Sequence, residues 1–131
     1  MGKWGVGMPA ALKLERFGEL LHDAFGTWPY QVGSSLQSTE WRDVDVRLIL
    51  HDDDYAARGF GDPARPQENA RWVAYTLAFA TLGREITGLP IDFQIQQQSQ
   101  ANAEYPHGRN ALGIRRDIMR MTPSTPNQSE Q

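Results

Sequence analysis

The spacing of hydrophobic and polar residues along the chain predicts three helices and three strands in a definite order. Apolar residues recur at helical spacing in two segments, 9–25 and 67–86, and we expect a short third helix over 110–121. Strand-like segments with β-branched residues or a period of two lie at 28–32, 43–51 and 91–96. The order helix, strand, strand, helix, strand, helix predicts an α/β (α+β) fold, a small mixed β-sheet with helices packed on it.

Glycine and proline mark the ends of these segments. Gly26 and Gly88 follow the two long helical patterns, and glycine commonly occupies the first position past a helix end. The polar segment 52–66 is rich in both residues and predicts a mobile surface loop. Residues 122–131 are Ser, Thr, Pro, Asn, Gln and Glu, which predicts a disordered tail after one domain over 1–121.

The two longer predicted strands each have an apolar face and a polar face. In the second strand, one face consists of Val44, Val46, Leu48 and Leu50, and the other of Asp43, Asp45, Arg47 and Ile49. In the third strand, one face consists of Ile91, Phe93 and Ile95, and the other of Asp92, Gln94 and Gln96. The carboxylates therefore alternate with residues expected to be in the core.

The composition of the chain excludes several classes of functional site. The 131-residue chain has no cysteine, which excludes disulfides, thiolate zinc sites and thiol nucleophiles. Its 13 basic and 16 acidic residues give a net charge of −3, which disfavours a protein that mainly grips nucleic-acid phosphates. The sequence shows no secretion signal and no apolar run of membrane-spanning length, so we expect a soluble, cytoplasmic protein without membrane contact.

Three polar features could form one site. Gly33-Ser34 ends the first strand, Asp43 and Asp45 are two apart on the second, and Asp92 lies on the third. Carboxylates two apart on a strand point the same way, roughly 6–7 Å apart, and could converge on hard cations such as Mg²⁺. Alternatively, the aspartates form a solvated strand face and Gly-Ser is an ordinary turn. Because Asp is disfavoured in strands, a third carboxylate makes that alternative less favourable.

The ordered set of motifs resembles the nucleotidyltransferases of the DNA polymerase β superfamily, particularly their minimal, stand-alone members. The matching segments are Val32-Gly33-Ser34, Asp43-Val44-Asp45-Val46 and Ile91-Asp92-Phe93, within a resemblance that covers residues 10–96. It implies the nucleotidyltransferase fold and the transfer of a nucleoside monophosphate from an NTP such as ATP to an acceptor, which could be a small molecule, a tRNA or a protein.

The resemblance also implies a role for each matching residue. Gly33 and Ser34 would hold the triphosphate, and Asp43, Asp45 and Asp92 would be the catalytic residues and the ligands of Mg²⁺ or Mn²⁺. Asp92 would also help to deprotonate the acceptor. Arg47 shares the carboxylate face, so we expect either an ion pair with Asp45 or a contact with the nucleotide phosphates.

Two other functions remain open. Minimal members of this superfamily include antitoxins, so the chain could be a non-catalytic or antitoxin-like binding module; it could also be a plain structural domain. After the third strand little chain is left to recognise a base or an acceptor. Recognition would then come from a protein partner, from the mate in a homodimer, or from segment 52–66.

Other polar and aromatic residues are expected to have ordinary structural roles. Asp52-Asp53-Asp54 predicts a solvated turn, His51 an exposed side chain, and His107-Gly108-Arg109 the start of the last helix. Trp72, Tyr75 and Phe79 have the spacing of core residues rather than of a surface on which bases stack.

Overall fold

A computed structural model of the protein describes residues 7–33, 43–104 and 109–113. Its helices are α1 (Ala10–Phe25), α2 (Asp52–Ala57), α3 (Ala70–Thr87) and α4 (Gln98–Glu104), with a 3₁₀ turn at Pro66–Glu68. Its strands are β1 (Tyr30–Val32), β2 (Val44–Leu50), β3 (Ile91–Gln97) and β4 (Asn110–Ala111). The predicted class is confirmed, because the protein is a mixed α+β domain built on one sheet.

The sheet has the strand order β3-β2-β1-β4. Strands β2 and β3 are parallel, and their register places Asp45 beside Asp92. Strand β1 is antiparallel to β2 and places Val32 beside Asp45. Strand β4 pairs with the other edge of β1. Asp45 of β2 therefore lies between Asp92 on one side and Val32, the residue before Gly33, on the other.

The long helices begin and end where the sequence supplies caps. The side chain of Asn69 accepts a hydrogen bond of 2.8 Å from the backbone N–H of Trp72 at the start of α3. Gly26 and Gly88 end α1 and α3 in the left-handed conformation, with φ of 81° and 72°. The predicted bounds of both helices are thus reproduced to within a few residues.

The core lies between the sheet and the pair α1 and α3. Phe17 and Phe93 meet edge to face with ring centroids 6.2 Å apart, and Phe25 packs on Phe79 at 5.3 Å. Gly83 allows α3 to approach α1, because a Cβ there would lie 2.8 Å from the Phe17 ring. The predicted apolar faces of β2 and β3 are fully buried against these rings.

Several predicted local features are wrong. Segment 52–66 is not a loop throughout, because Asp52–Ala57 forms α2, and three aspartates occupy its first turn rather than a solvated turn. Acidic residues suit the positive end of the helix dipole, which explains the helix. Asn110–Ala111 is a strand rather than the start of a helix, because it pairs with β1. The rest of the predicted helix over 110–121, the tail over 122–131 and His107-Gly108 lie outside the described residues.

The exposure of several residues in α1 and α3 differs from what their polarity suggests. Glu19 of α1 is buried despite its charge, whereas the apolar Leu12 of the same helix is 58% exposed. Trp72 and Phe79 pack against the core as predicted, but Tyr75 is 39% exposed. Within the described ranges, no helix has both the length and the apolar character required to cross a membrane.

Candidate metal centre

Three carboxylates meet at the start of the parallel pair β2 and β3. Asp43 immediately precedes β2, Asp45 is its second residue, and Asp92 is the second residue of β3. Each offers an oxygen atom within 4.8 Å of those of the other two. The parallel register produces this convergence, since it sets Asp45 and Asp92 side by side on the same face of the sheet.

Gly33 closes one side of the cluster. It follows β1, and its φ of 82° is in the left-handed region that glycine adopts without strain. A Cβ at this position would collide with Oδ2 of Asp45. Glycine therefore suits the backbone conformation, and any side chain here would displace the carboxylate of Asp45. Ser34, the other residue of the Gly-Ser motif, lies outside the described part of the chain.

Arg47 lies beneath two of the carboxylates, two residues along β2 from Asp45. Its side chain is only 5% exposed, and Nη2 is 4.0 Å from Oδ1 of Asp45 and 3.7 Å from Oδ2 of Asp92. Nη1 also donates a 2.7 Å hydrogen bond to the backbone oxygen of Asp92. Of its two expected roles, the structure has the ion pair, while the phosphate contact stays a prediction.

The cluster carries negative charge that its own residues do not fully offset. Burial raises the pKa of Asp45 above its ordinary value, and Arg47 acts in the opposite direction. The charges of Asp92 and Asp43, and a hydrogen bond with Asp92, raise that pKa further. Ionised Asp45 is thus less favourable here than in water, despite the neighbouring guanidinium, and a cation beside it would relieve this cost.

The donor set fits a hard divalent cation. All three side chains offer carboxylate oxygens, which Mg²⁺ and Mn²⁺ prefer over nitrogen or sulfur ligands. The site is also accessible, since the side chains of Asp45 and Asp92 are 25% and 43% exposed and Asp43 lies at the surface. Together these properties allow a metal ion and a phosphate oxygen to reach the carboxylates from solvent.

The neighbouring polar residues do not join this cluster. His51 is exposed at the far end of β2, as expected. Asp52 accepts hydrogen bonds from the hydroxyl and backbone N–H of Ser99, at 2.6 and 3.1 Å. Asp54 pairs with Arg58 at 2.9 Å. Among the residues that the structure describes, the three aspartates form the one group of three or more potential metal ligands.

A second polar feature lies at the other end of β3. A cavity of about 140 Å³ is lined mainly by the loop before α3, by β3 and by α4. Its polar lining includes Gln94, Gln96, Gln97, Gln100 and Glu104. Gln94, the lining residue of β3 nearest to Asp92, is two residues from it, roughly 6–7 Å, and none of the three aspartates lines the cavity. In the sequence, the run of glutamines at 96–98 is the feature that could have indicated this polar cavity.

Comparisons of the chain with models of protein families, with curated proteins and with solved structures each find no match. The function therefore has to be argued from the chain's own site. That site is a carboxylate cluster with a glycine turn against it and a buried arginine beneath it.

Proposed function

We propose that the protein is a Mg²⁺-dependent nucleotidyltransferase, which moves a nucleoside monophosphate from an NTP to an acceptor. The acceptor would be a small molecule, a tRNA or a protein side chain. The observation that carries this proposal is the convergence of Asp43, Asp45 and Asp92, with oxygens within 4.8 Å of one another. These are the residues that the resemblance to the polymerase β superfamily singles out, and Asp92 comes from a part of the chain separate from Asp43 and Asp45.

The charge of the cluster supports the choice of chemistry. The three carboxylates lie around one guanidinium, which forms ion pairs with Asp45 and Asp92. A divalent cation would offset the remaining charge, and when bound it would polarise phosphate oxygens and stabilise charge that develops on them. An NTP also brings several negative charges, which a bare carboxylate cluster would repel.

The residues of the chain have distinct roles in this proposal. Asp43, Asp45 and Asp92 hold Mg²⁺, and Gly33 with Ser34 lets the backbone approach the triphosphate. Asp92 accepts the proton of the acceptor hydroxyl, whose oxygen forms a bond to the α-phosphorus. The bond from that phosphorus to the bridging oxygen breaks, and pyrophosphate leaves. Catalysis rests on positioning and electrostatics, and a cytoplasmic location fits a reaction that consumes NTPs.

Arg47 favours the second candidate, a non-catalytic or antitoxin-like binding module. Its guanidinium lies against Asp45 and Asp92, so the fold has a built-in counterion for two of its three carboxylates. A protein that had lost its reaction would need such a counterion to keep these residues in place. In the enzyme, the same arginine would instead orient the two metal ligands Asp45 and Asp92.

Transfer of label from NTPs tests the proposal directly. The protein is incubated with Mg²⁺ and each α-labelled NTP, together with total tRNA, a small-molecule extract or a protein extract. We expect label to appear in one pool and pyrophosphate in solution. Asp45→Asn should reduce the rate by about 10³-fold or more, as for other groups that act at the reacting centre. The matched control is Asp53→Asn, since Asp53 is an exposed carboxylate outside the cluster.

Metal binding is measured independently of the acceptor. We expect Mg²⁺ to raise the melting temperature of the wild-type protein and of Asp53→Asn, but not that of Asp45→Asn. Without metal, Asp45→Asn should be the more stable protein at neutral pH, because the raised pKa of Asp45 makes its ionised form unfavourable in the folded state. No response to Mg²⁺ and no labelled product with any pool would refute the enzyme and favour the binding module.

A further inference from the structure

The outer face of α3 is mainly apolar and exposed, and among the described residues it is contacted only at its edge, where Phe60 meets Tyr75 and Arg58 meets Arg71. Its inner face packs on the core through Ala80 and Gly83. The outer face is an arc of exposed residues with a charge at each end: Arg71, Ala74, Tyr75, Ala78, Thr81, Leu82 and Glu85. Tyr75 and Leu82 are each 39% exposed, and Leu77, at the flank of the arc, is 63% exposed. A helix that is apolar on most of its circumference is usually covered on every side.

We propose that this outer face of α3 is a dimer interface, which pairs with the same face of a second copy of the chain. The two α3 helices run antiparallel around a two-fold axis at Ala78. In such an isologous contact, residues equally far from the axis in opposite directions meet each other. The sequence of the face is self-complementary under this operation, in both charge and size.

The charges match first. Arg71 and Glu85 are each seven residues from Ala78, on opposite sides. Within one helix they are roughly 21 Å apart along the axis, too far to pair. Across the two-fold axis, Arg71 of each copy lies opposite Glu85 of the partner copy, so both ends of the interface gain an ion pair. A parallel arrangement would instead set like charges together.

The side-chain sizes match as well. Tyr75 and Thr81 are three residues from Ala78, and Leu82 and Ala74 are four residues from it. Each large side chain therefore meets a smaller one of the partner copy, and Ala78 meets itself. Alternation of large and small residues lets two helices approach closely without voids. This pattern favours a second copy over an unrelated partner as the molecule that covers the face.

Thr81 and Tyr75 are the uncharged side chains of the face that carry a hydroxyl, and burial of Thr81 there is compatible with the dimer. A threonine hydroxyl in a helix can donate to the carbonyl oxygen four residues earlier, which for Thr81 is that of Leu77. The hydroxyl is then satisfied within its own helix, so the side chain can turn its methyl group towards Tyr75 of the partner copy. With that bond formed, covering Thr81 does not leave its hydroxyl unpaired.

Analytical ultracentrifugation of the full chain is the first test. We expect the wild-type protein to sediment as a dimer that dissociates on dilution. Ala78→Arg should be monomeric, since two arginines would meet at the axis. Ala78 is exposed in the single chain, so the circular dichroism of this variant should be unchanged. A wild-type protein that stays monomeric at its highest soluble concentration overturns the proposal and means that another part of the chain, or another protein, covers the face.

Charge exchange tests the register. Arg71→Glu and Glu85→Arg should each weaken dimerisation by about tenfold, because two ion pairs per dimer become two repulsive pairs. The double variant should restore the wild-type dissociation constant. Arg71 also makes a long 3.5 Å hydrogen bond to the carbonyl of Arg58, and loss of that bond alone could not be rescued by Glu85→Arg. Absence of rescue would therefore overturn the pairing.

The absence of cysteine from the chain allows a cross-linking test. Ala78→Cys should form a disulfide-linked dimer on mild oxidation, because the residue meets itself at the axis. Ala57→Cys, an exposed position on α2, is the control and should remain largely monomeric. Equal cross-linking of the two variants would reflect random collision and contradict the proposed axis.

Discussion

The two ends of the β2–β3 pair share a face but differ in chemistry. The acidic end carries Asp43, Asp45 and Asp92 and is open, with the side chain of Asp92 43% exposed. The amide end carries Gln94 and Gln96 and is covered by α4, so that Gln96 is only 9% exposed. Charge is placed where solvent or a cation can reach it, and neutral amides are placed where the sheet is closed.

The carboxylates of the acidic end are not explained by the packing of the sheet. Nothing in the pairing of β2 with β3 requires carboxylates, and strand propensity disfavours them. At the amide end, polar side chains find partners locally; Gln96 donates a 3.2 Å hydrogen bond to Glu104. The acidic end instead concentrates like charges around Gly33, which raises the cost of ionised Asp45. A fold that needed only stability would gain from amides at both ends.

Removing the arginine beneath the acidic end should have the largest effect on stability. Arg47→Leu leaves Asp45 and Asp92 without their counterion, and we expect a loss of about 2–3 kcal/mol in the free energy of unfolding. Urea denaturation measures this loss, and Mg²⁺ should recover part of it. As a control, Arg58→Met removes a partly exposed ion pair and should cost less than about 1 kcal/mol. Equal losses for the two variants would mean that the buried ion pairs of Arg47 contribute no more to stability than the partly exposed ion pair of Arg58.

A side chain at Gly33 should disrupt the carboxylate cluster at the acidic end and leave the amide end unchanged. Gly33→Ala and Gly26→Ala impose nearly the same backbone strain, since their φ values are 82° and 81°, and each should cost about 1–2 kcal/mol. Only at Gly33 does the added Cβ collide with Asp45, whereas nothing lies within 4 Å at Gly26. We therefore expect Gly33→Ala to lose about 1 kcal/mol more of the free energy of unfolding than Gly26→Ala does. We also expect its melting temperature not to respond to Mg²⁺. An unchanged Mg²⁺ response would contradict the packing of Gly33 on Asp45.

The amide end should tolerate loss of its polar group. Oε1 of Gln96 is buried with no hydrogen-bond partner among the described residues. Gln96→Met keeps the length of the side chain and removes this unsatisfied atom, so stability should stay within about 1 kcal/mol of wild type or rise. Its melting temperature should respond to Mg²⁺ as wild type does. Gln96→Met also removes the hydrogen bond to Glu104, so a strong loss of stability would mean that this bond contributes more than the unsatisfied oxygen costs.

The smallest expected effect concerns the contact that ties α2 to α4. Hydrogen bonds from Ser99 lower the pKa of Asp52, so this contact stabilises the fold above the ordinary pKa of aspartate. The contribution is lost as pH falls through the lowered pKa. Ser99→Ala should therefore lower the melting temperature slightly at neutral pH, and the difference from wild type should shrink in acid. A difference that grows in acid would reverse the assigned sign.

The carboxylate cluster could be predicted because its geometry depends on simple periodicity. Asp43, Asp45 and Asp92 alternate with buried residues, and a strand fixes the face of each residue from its neighbours. What the alternation could not supply was the pairing partner and the register, which depend on how α3 packs. The proximity of Gly33 to Asp45 likewise depends on the antiparallel register of β1, set by only three residues.

The features that could not be predicted are short and depend on tertiary contacts. Helix α2 has six residues, and β4 has two. Such lengths contain too few positions to show a period. Glycines and prolines after α2 pointed to a loop, and the glutamines of α4 show no apolar face. Buried Glu19 shows the same limit, because its charge favours exposure while Gly113, distant in the sequence, packs against α1 at this residue.

The order in which the chain is made has a consequence for the parallel pairing of β2 with β3. A ribosome completes Asp43 and Asp45 well before Asp92, because α2 and α3 lie between the two strands. Parallel neighbours cannot form a hairpin, so the third carboxylate arrives only when the whole crossover has folded. A nascent or half-folded chain thus carries two aspartates that do not yet form the cluster. Any activity that needs all three is withheld until synthesis has passed β3.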